Sequence, residues 1–314
     1  MSERLACVSI DLDGLDCYAR IFALHLPPRA GPDPLHTVAV HRFGELLAEA
    51  DLPGTAFVIG SSLTDSLARK AIAELHRAGH ELGNHSFEHD YRLSLRSLAE
   101  MRQEVEAGAE AIAGLTGERP VGFRAPGYNL SAGLLQAVRE SGATYDTSLF
   151  PSAPYLAARG LVLGAMALGG RPSASHAGPP AALLAPRGPY RPHPRRFWQP
   201  RFGGGGPEAQ LLELPITVWP LLGLPFIGGT LTTLPWRLVR EGLRALRRRP
   251  FLNLELHALD LLDRSDGLPP ELARRQRDLM VPAREKARRL REVLAWMKRD
   301  HEIVRLDEAA QRMA

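Results

Sequence analysis

Asp11 and Asp13 stand two residues apart at the end of the apolar run Leu5–Ile10, in the string SIDLDG. Alternate residues of a strand share a face, so both carboxylates can reach one site. Two acids that close call for a cation on one and an arginine on the other. His85 and His89, in NHSFEH, are four apart, which puts them on one helical face or across one tight turn. Two neutral imidazoles and a carboxylate, from Asp11 or Asp13, leave a fourth position open on a divalent ion such as zinc, the layout of a catalytic rather than a structural site. Arg124 (FRAPGY), Asp146 (YDTS) and His257 (LELH) end further short apolar runs. Each cluster alone has a plainer reading: the histidines as a surface or core pair, and Asp13–Gly14 as a turn.

The elements that must position these groups alternate. Apolar runs at 5–10, 54–59, 80–83, 121–124, 143–146, 211–218, 251–256 and 302–305 predict strands. Helical spacing marks 37–50, 64–78, 94–115 (capped by Ser94), 131–141, 235–248 and 270–300. Most connections are too long for hairpins, so parallel strands with helical crossovers are expected. Polar residues at strand ends fit a barrel with its chemistry at the C-terminal rim. Residues 151–210 carry Pro, Gly, Ala and Arg without pattern and are expected to be a loop inserted into a single 1–314 domain.

Composition narrows the classes. The chain has 314 residues, 45% hydrophobic and 24% charged, which excludes a wholly disordered protein. Two cysteines, Cys7 and Cys17, exclude a disulfide scaffold and a four-cysteine zinc site. A net charge of +4 from 39 basic and 35 acidic residues is too thin to argue for nucleic acid. Met1–Ile10 has no signal-peptide run, so a cytoplasmic location is expected. The apolar stretch Leu211–Trp236 is broken by prolines and Gly228–Gly229, which predicts a strand and loops, with contact to a membrane or acyl chain as the other option.

In order along the chain, these motifs resemble those of the polysaccharide deacetylase superfamily, the NodB-homology domains of carbohydrate esterase family 4. SIDLDG resembles the family's paired-acid motif in the Asp-x-Asp form of its intracellular branch. His85–His89 resembles the histidine motif, Arg124–Ala125–Pro126 the Arg-x-Pro motif, and Leu254–His257 the closing Leu-x-Leu-His. The usual Asp-Trp motif is absent; Tyr145–Asp146 stands in its place. After His257 the sequence runs Ala258–Leu259–Asp260, where related exopolysaccharide deacetylases carry Pro-Trp-Glu.

The resemblance implies a distorted (β/α) barrel of about seven parallel strands. It implies Asp11 as catalytic base, Asp13, His85 and His89 as ligands of one divalent metal, with zinc expected, and Arg124 as the group that steadies the base. It further implies Gly127 N–H as oxyanion donor, His257 as general acid and Asp146 as the group tuning it. The activity implied is removal of an N-acetyl or N-formyl group from an amino sugar. For a cytoplasmic enzyme the substrate would be a lipid-linked or nucleotide-linked precursor, with peripheral contact at the inner face of the membrane. Nucleic acid is not expected as a partner, and the oligomeric state is left open. Two rivals stand beside this: a carbohydrate- or lipid-binding protein on an inactive scaffold, and an H-x-x-E-H zinc peptidase with Glu88 as base.

Overall fold

The computed structural model describes residues 3–26, 31–201 and 211–314. Its strands are β1 (Leu5–Asp11), β2 (Thr55–Val58), β3 (Glu81–Asn84), β4 (Gly122–Phe123), β5 (Tyr145–Asp146), β6 (Leu212–Glu213), β7 (Phe251–His257) and β8 (Glu302–Ile303). All pair in parallel, in the order β6-β5-β4-β3-β2-β1-β7, with β8 against the start of β1. The sheet curls into a half-barrel of the expected type. Beyond β6 the chain reaches across to β7: Thr217 N–H donates to Asn253 O (3.2 Å), and Asn253 N–H donates to Thr217 Oγ1 (2.8 Å).

Strand alternation sorts the residues into two cores. Ala6, Val8 and Ile10 of β1, and Leu252, Leu254 and Leu256 of β7, join the cluster packed under the helices. The other face is the concave one, and it changes character along each strand. On β1 it runs Leu5, Cys7, Ser9, Asp11; on β7 it runs Phe251, Asn253, Glu255, His257. Register pairs Leu5 with Phe251 at the apolar end, and Ser9 with Glu255 and Asp11 with His257 at the polar end. The apolar end is a second core with Phe57, Tyr145 and Leu214. The polar end is where charge gathers, at the C-terminal rim.

Helices α1 (Leu15–Phe22), α2 (Val38–Ala50), α3 (Ser66–Arg77), α4 (Leu98–Thr116) and α5 (Ala132–Glu140) follow the first strands. Next come α6 (Ala153–Leu168), α7 (Gly228–Thr233), α8 (Trp236–Leu246), α9 (Pro270–Arg275), α10 (Ala283–Asp300) and α11 (Leu306–Met313). Three details correct the sequence-based expectations. Helix α4 begins at Leu98, because Ser97 and Glu100 form a reciprocal capping box there; Ser94 lies in a preceding 3₁₀ turn. The strand expected over 211–218 shrinks to two residues, because Pro215 has no N–H to continue a ladder.

The expected loop at 151–210 opens instead with the 16-residue helix α6. Ser152 caps it through Tyr155 N–H (3.3 Å), and Pro154 is preset for a first turn. The helix lacks a polar stripe because only Met166 is buried, so no 3.6-residue pattern marks it. Residues 202–210 lie outside the described residues.

Candidate active site

Asp13 and the two histidines meet as the residue types suggest. Asp13 Oδ1 lies 3.4 Å from His85 Nε2 and 3.3 Å from His89 Nε2. All three side chains are buried, and they form one of two carboxylate–histidine groups able to surround an ion among the described residues. Asp11 ends β1, and Asp13 sits one turn residue beyond. Leu12 between them is fully buried, and its N–H donates to Phe57 O (3.1 Å), which turns both carboxylates to the concave side.

The histidines lie on a turn, not a helix. Ser86 and His89 both take left-handed backbone, with φ of 62° and 53°, a conformation non-glycine residues adopt only under constraint. The constraint is visible. Asn84 Oδ1 accepts Ser86 N–H (2.9 Å), Ser86 Oγ accepts His89 N–H (3.1 Å), and Asn84 Nδ2 donates to Val105 O on α4 (2.8 Å). Gly108 of α4 lets this turn come close: a Cβ there would stand 2.4 Å from Asn84 Oδ1 and 2.9 Å from the Ser86 carbonyl carbon. Glu88 is exposed and outside any helix, which removes the structural basis of the H-x-x-E-H reading.

The polar atoms of this triad fit a divalent ion. His85 Nδ1 lies 2.7 Å from Arg124 O and donates to it, so Nε2 carries the free lone pair. Asp13 Oδ1 and both ring nitrogens of His89 are buried without a hydrogen-bond partner, and such orphans are rare unless an ion or water satisfies them. Burial alone would raise Asp13, but His89 and His85 beside it hold its carboxyl far below the usual range. Burial, aided by His85 and Arg20 and opposed by Asp13, pushes His89 down to about 4. A carboxylate and a neutral imidazole are the forms that bind a metal.

Beside the triad stands Asp11. Its Oδ1 accepts from Arg124 Nη1, and its Oδ2 lies 3.7 Å from His85 Nε2. Arg124 is fully buried. Its Nη2 donates to Ser9 Oγ (2.9 Å), its Nε donates to Thr147 O (3.2 Å), and its guanidinium stacks 4.1 Å above the Phe57 ring. The arginine is therefore fixed on all sides and can hold the Asp11 carboxylate in one orientation.

Next to Asp11, its register partner on β7, stands His257, with a side chain 27% exposed. Its Nδ1 forms a 2.9 Å ion pair with Glu255 Oε1, and its Nε2 lies 3.3 Å from the Tyr128 hydroxyl. Burial works against protonation, but Glu255 outweighs it and raises His257 well above the ordinary imidazole range. The turn after β7 is held from below by buried Lys286, which donates to Leu259 O and Leu262 O (2.9 Å each). Asp260 accepts the His257 N–H (2.8 Å).

Asp146 sits elsewhere. It accepts from Ser148 N–H (3.1 Å) and Ser148 Oγ (2.7 Å), while Ser148 Oγ in turn accepts Ala125 N–H (2.8 Å). Burial raises both Asp146 and its hydrogen-bond partner Glu213, and Asp146 braces Ala125 through Ser148. The partner of His257 is Glu255, which the sequence reading missed. The available signal was the alternation Asn253, Glu255, His257 on one face of β7. Gly127 lines the pocket with φ of 59°, and its O accepts from Arg159 Nη1 (2.6 Å). Glycine suits that left-handed turn, and among the described residues its N–H has no hydrogen-bond acceptor.

With this geometry in hand, the likeness to known proteins can be placed on it. Residues 31–145 match the family model described as polysaccharide deacetylase, a range that includes His85, His89, Arg124 and Gly127 but not Asp11, Asp13 or His257. A peptidoglycan deacetylase of Helicobacter pylori is 32% identical over 113 residues, which are 36% of this chain and 37% of that protein. The chain thus aligns with little more than a third of that relative's length.

Among solved structures, a polysaccharide deacetylase candidate from Mycobacterium smegmatis aligns with 99% of this chain and 91% of its own, at a TM-score of 0.62 and 21% identity. The Xyl-CE4 domain of a multidomain xylanase from the hindgut metagenome of Trinervitermes trinervoides aligns over 99% and 91% at a TM-score of 0.48 and 11% identity. The chain is thus similar to polysaccharide deacetylases in sequence over residues 31–145, and it shares its fold with the Mycobacterium smegmatis structure over 99% of its length.

Proposed function

We propose that this protein is a metal-dependent hydrolase that removes an N-acyl group, acetyl or formyl, from an amino sugar. The observation that carries this reading is a ligand triad with two dissimilar proton-transfer groups beside it. Asp11, pinned by Arg124, stands 3.7 Å from His85 of the Asp13–His85–His89 triad, and His257, paired with Glu255, is the neighbour of Asp11 across the β1–β7 register.

A divalent ion held by Asp13, His85 and His89 would supply Lewis-acid polarisation of a water and of the amide carbonyl; zinc is our expectation. The protein's own groups do the rest. Asp11 takes the proton of the attacking water, and Arg124 keeps its carboxylate oriented. Gly127 N–H is directed to the oxygen on which negative charge develops. His257, kept protonated by Glu255, gives its Nε2 proton to the departing amine, and the Tyr128 hydroxyl beside that nitrogen orients the transfer. Products are the free carboxylic acid and the amino sugar.

The substrate we favour is a lipid-linked or nucleotide-linked precursor handled in the cytoplasm. The cavity beside the triad, about 480 Å³, supports the lipid-linked alternative: Ile21 and Phe22 of α1 and Val162, Leu163 and Met166 of α6 make one apolar wall. The test is metal content together with acid release. Wild type and His85→Ala are purified, divalent metal is counted, and acetate and formate are measured from N-acyl amino sugars, free and lipid-linked. One equivalent of metal in the wild type, lost in the variant along with acid release, is the expected result. No metal in a folded wild type would overturn the mechanism. Metal without hydrolysis of any substrate would favour a binding protein on the same scaffold.

A further inference from the structure

Helix α6 has the surface of a buried helix and the position of an exposed one. Of its 16 residues only Met166 is buried, and Arg159 is its one charged residue. Leu161 is 76% and Leu168 93% exposed. The loop after β6 adds Leu221 at 91% and Leu222 at 61%. That loop is tied to the start of α6, since Ser152 Oγ donates to Gly223 O (2.7 Å), and Arg187 Nη1 donates to Pro220 O (2.9 Å). Both elements follow the C-terminal ends of parallel strands, the end of the sheet at which the active site lies. Scattered exposed apolar residues need no explanation, but a run of them on one rim marks a contact surface.

Two observations say what covers it. The first is charge: residues 149–207 hold seven arginines and no aspartate or glutamate, in a chain whose totals are nearly balanced at 39 basic and 35 acidic. The second is continuity. Val162, Leu163 and Met166 of the same helix line the cavity that opens onto Asp11, Asp13 and His257, so one helix carries both the exposed leucines and part of the cavity wall. An apolar helix in a chain segment that carries arginines and no acids complements a bilayer with anionic headgroups.

We infer that α6 and the Leu221–Leu222 loop dock on an anionic lipid bilayer, with the active-site mouth facing it, so that an amphiphilic substrate enters without crossing water. Among the described residues no helix is long and apolar enough to cross a membrane, so this contact is peripheral. The inference rests on the lipid-linked form of the proposed substrate.

The test is flotation of the full-length protein with vesicles of one-third phosphatidylglycerol in phosphatidylcholine, and with phosphatidylcholine alone. The wild type is expected to float with the anionic vesicles, more weakly as salt rises, and poorly with the neutral ones. Leu161→Asp with Leu168→Asp should lower partitioning by about tenfold or more, while metal content and hydrolysis of a soluble N-acyl oligosaccharide stay unchanged. In a separate Leu168→Trp protein, bromine on the lipid acyl chains should quench the added fluorescence.

Absence of wild-type flotation, equal flotation of the double variant, or equal binding to neutral vesicles would overturn the inference. So would a stable dimer in solution that the double variant dissociates, since a second copy would then cover the face. Vesicle binding without hydrolysis of any substrate would fail the catalytic reading instead, and soluble hydrolysis without vesicle binding would fail only this one.

Discussion

The strand-end rim and helix α6 each invert the ordinary arrangement of a soluble protein, in opposite directions. At the rim, charge is buried: Asp11, Asp13, Arg124 and Glu255 are almost wholly enclosed. On α6, apolar surface is exposed. Burying a charge without a partner costs several kcal/mol, and the rim meets that cost with ion pairs, stacking and fixed hydrogen bonds. Exposing leucine carries a smaller penalty, about 1.5–3 kcal/mol for each fully buried side chain forgone, and α6 does nothing to offset it. A region whose buried charges gather around one point has its chemistry within itself. A region that leaves its apolar surface open takes its partner from outside.

Breaking the charge pairing at the rim should give the largest effect. Asp11→Asn keeps the size of the base but leaves Arg124 buried opposite a neutral amide. Hydrolysis should fall by about 10²–10⁴, and stability by about 3–5 kcal/mol, since an unpaired buried charge remains. Metal content should be unchanged, because Asp13, His85 and His89 keep their places. Steady-state rates, a denaturation curve and a metal count check the three parts. Near-normal turnover would remove Asp11 as the base.

Glu255→Gln sharpens the other side. His257 must be protonated to act, so activity is present below its pKa and lost above it. Glu255 is what raises that pKa, so the variant should shift the alkaline limb of kcat/KM to lower pH and reduce neutral-pH turnover by about 10–100-fold. A merely structural role would lower the rate without moving the limb. Asp146→Asn provides the contrast: because Asp146 braces Ser148 and Ala125 rather than His257, its limb should stay in place.

The rim was legible in the sequence for a physical reason. A polar residue at the end of an apolar strand is conspicuous, and SIDLDG, NHSFEHD, FRAPGY and LELH each show one. Reading order along the chain then supplied the parallel barrel. Three things were hidden. Glu255 looked like half of an ordinary strand alternation, although here the polar face turns inward to a charged interior. Asp146 ends a strand like the others, yet its carboxyl turns to Ser148 and Glu213. Helix α6 was invisible because periodicity records the boundary between a core and water, and α6 has almost no core side. The same absence that hid the helix is what marks it as a surface for a partner.

A single methyl group should test how closely the metal turn depends on its neighbour. Glycine in the interior of α4 costs about 1 kcal/mol relative to alanine in an isolated helix, so Gly108→Ala would stabilise the chain if helix propensity decided the outcome. The structure argues the reverse. The new Cβ would stand 2.4 Å from Asn84 Oδ1 and 2.9 Å from the backbone of Ser86, and Asn84 is the side chain that holds Ser86 in its left-handed conformation. Backbone cannot swing aside as a flexible side chain can, so the turn carrying His85 and His89 must shift. We expect a net loss of about 1–3 kcal/mol of stability, and weaker metal binding as His89 leaves its position beside Asp13. A metal titration and a denaturation curve on the same protein decide it. Stability gained with metal affinity unchanged would show that the turn tolerates movement, and that the histidines owe their placement to the ion rather than to the fold.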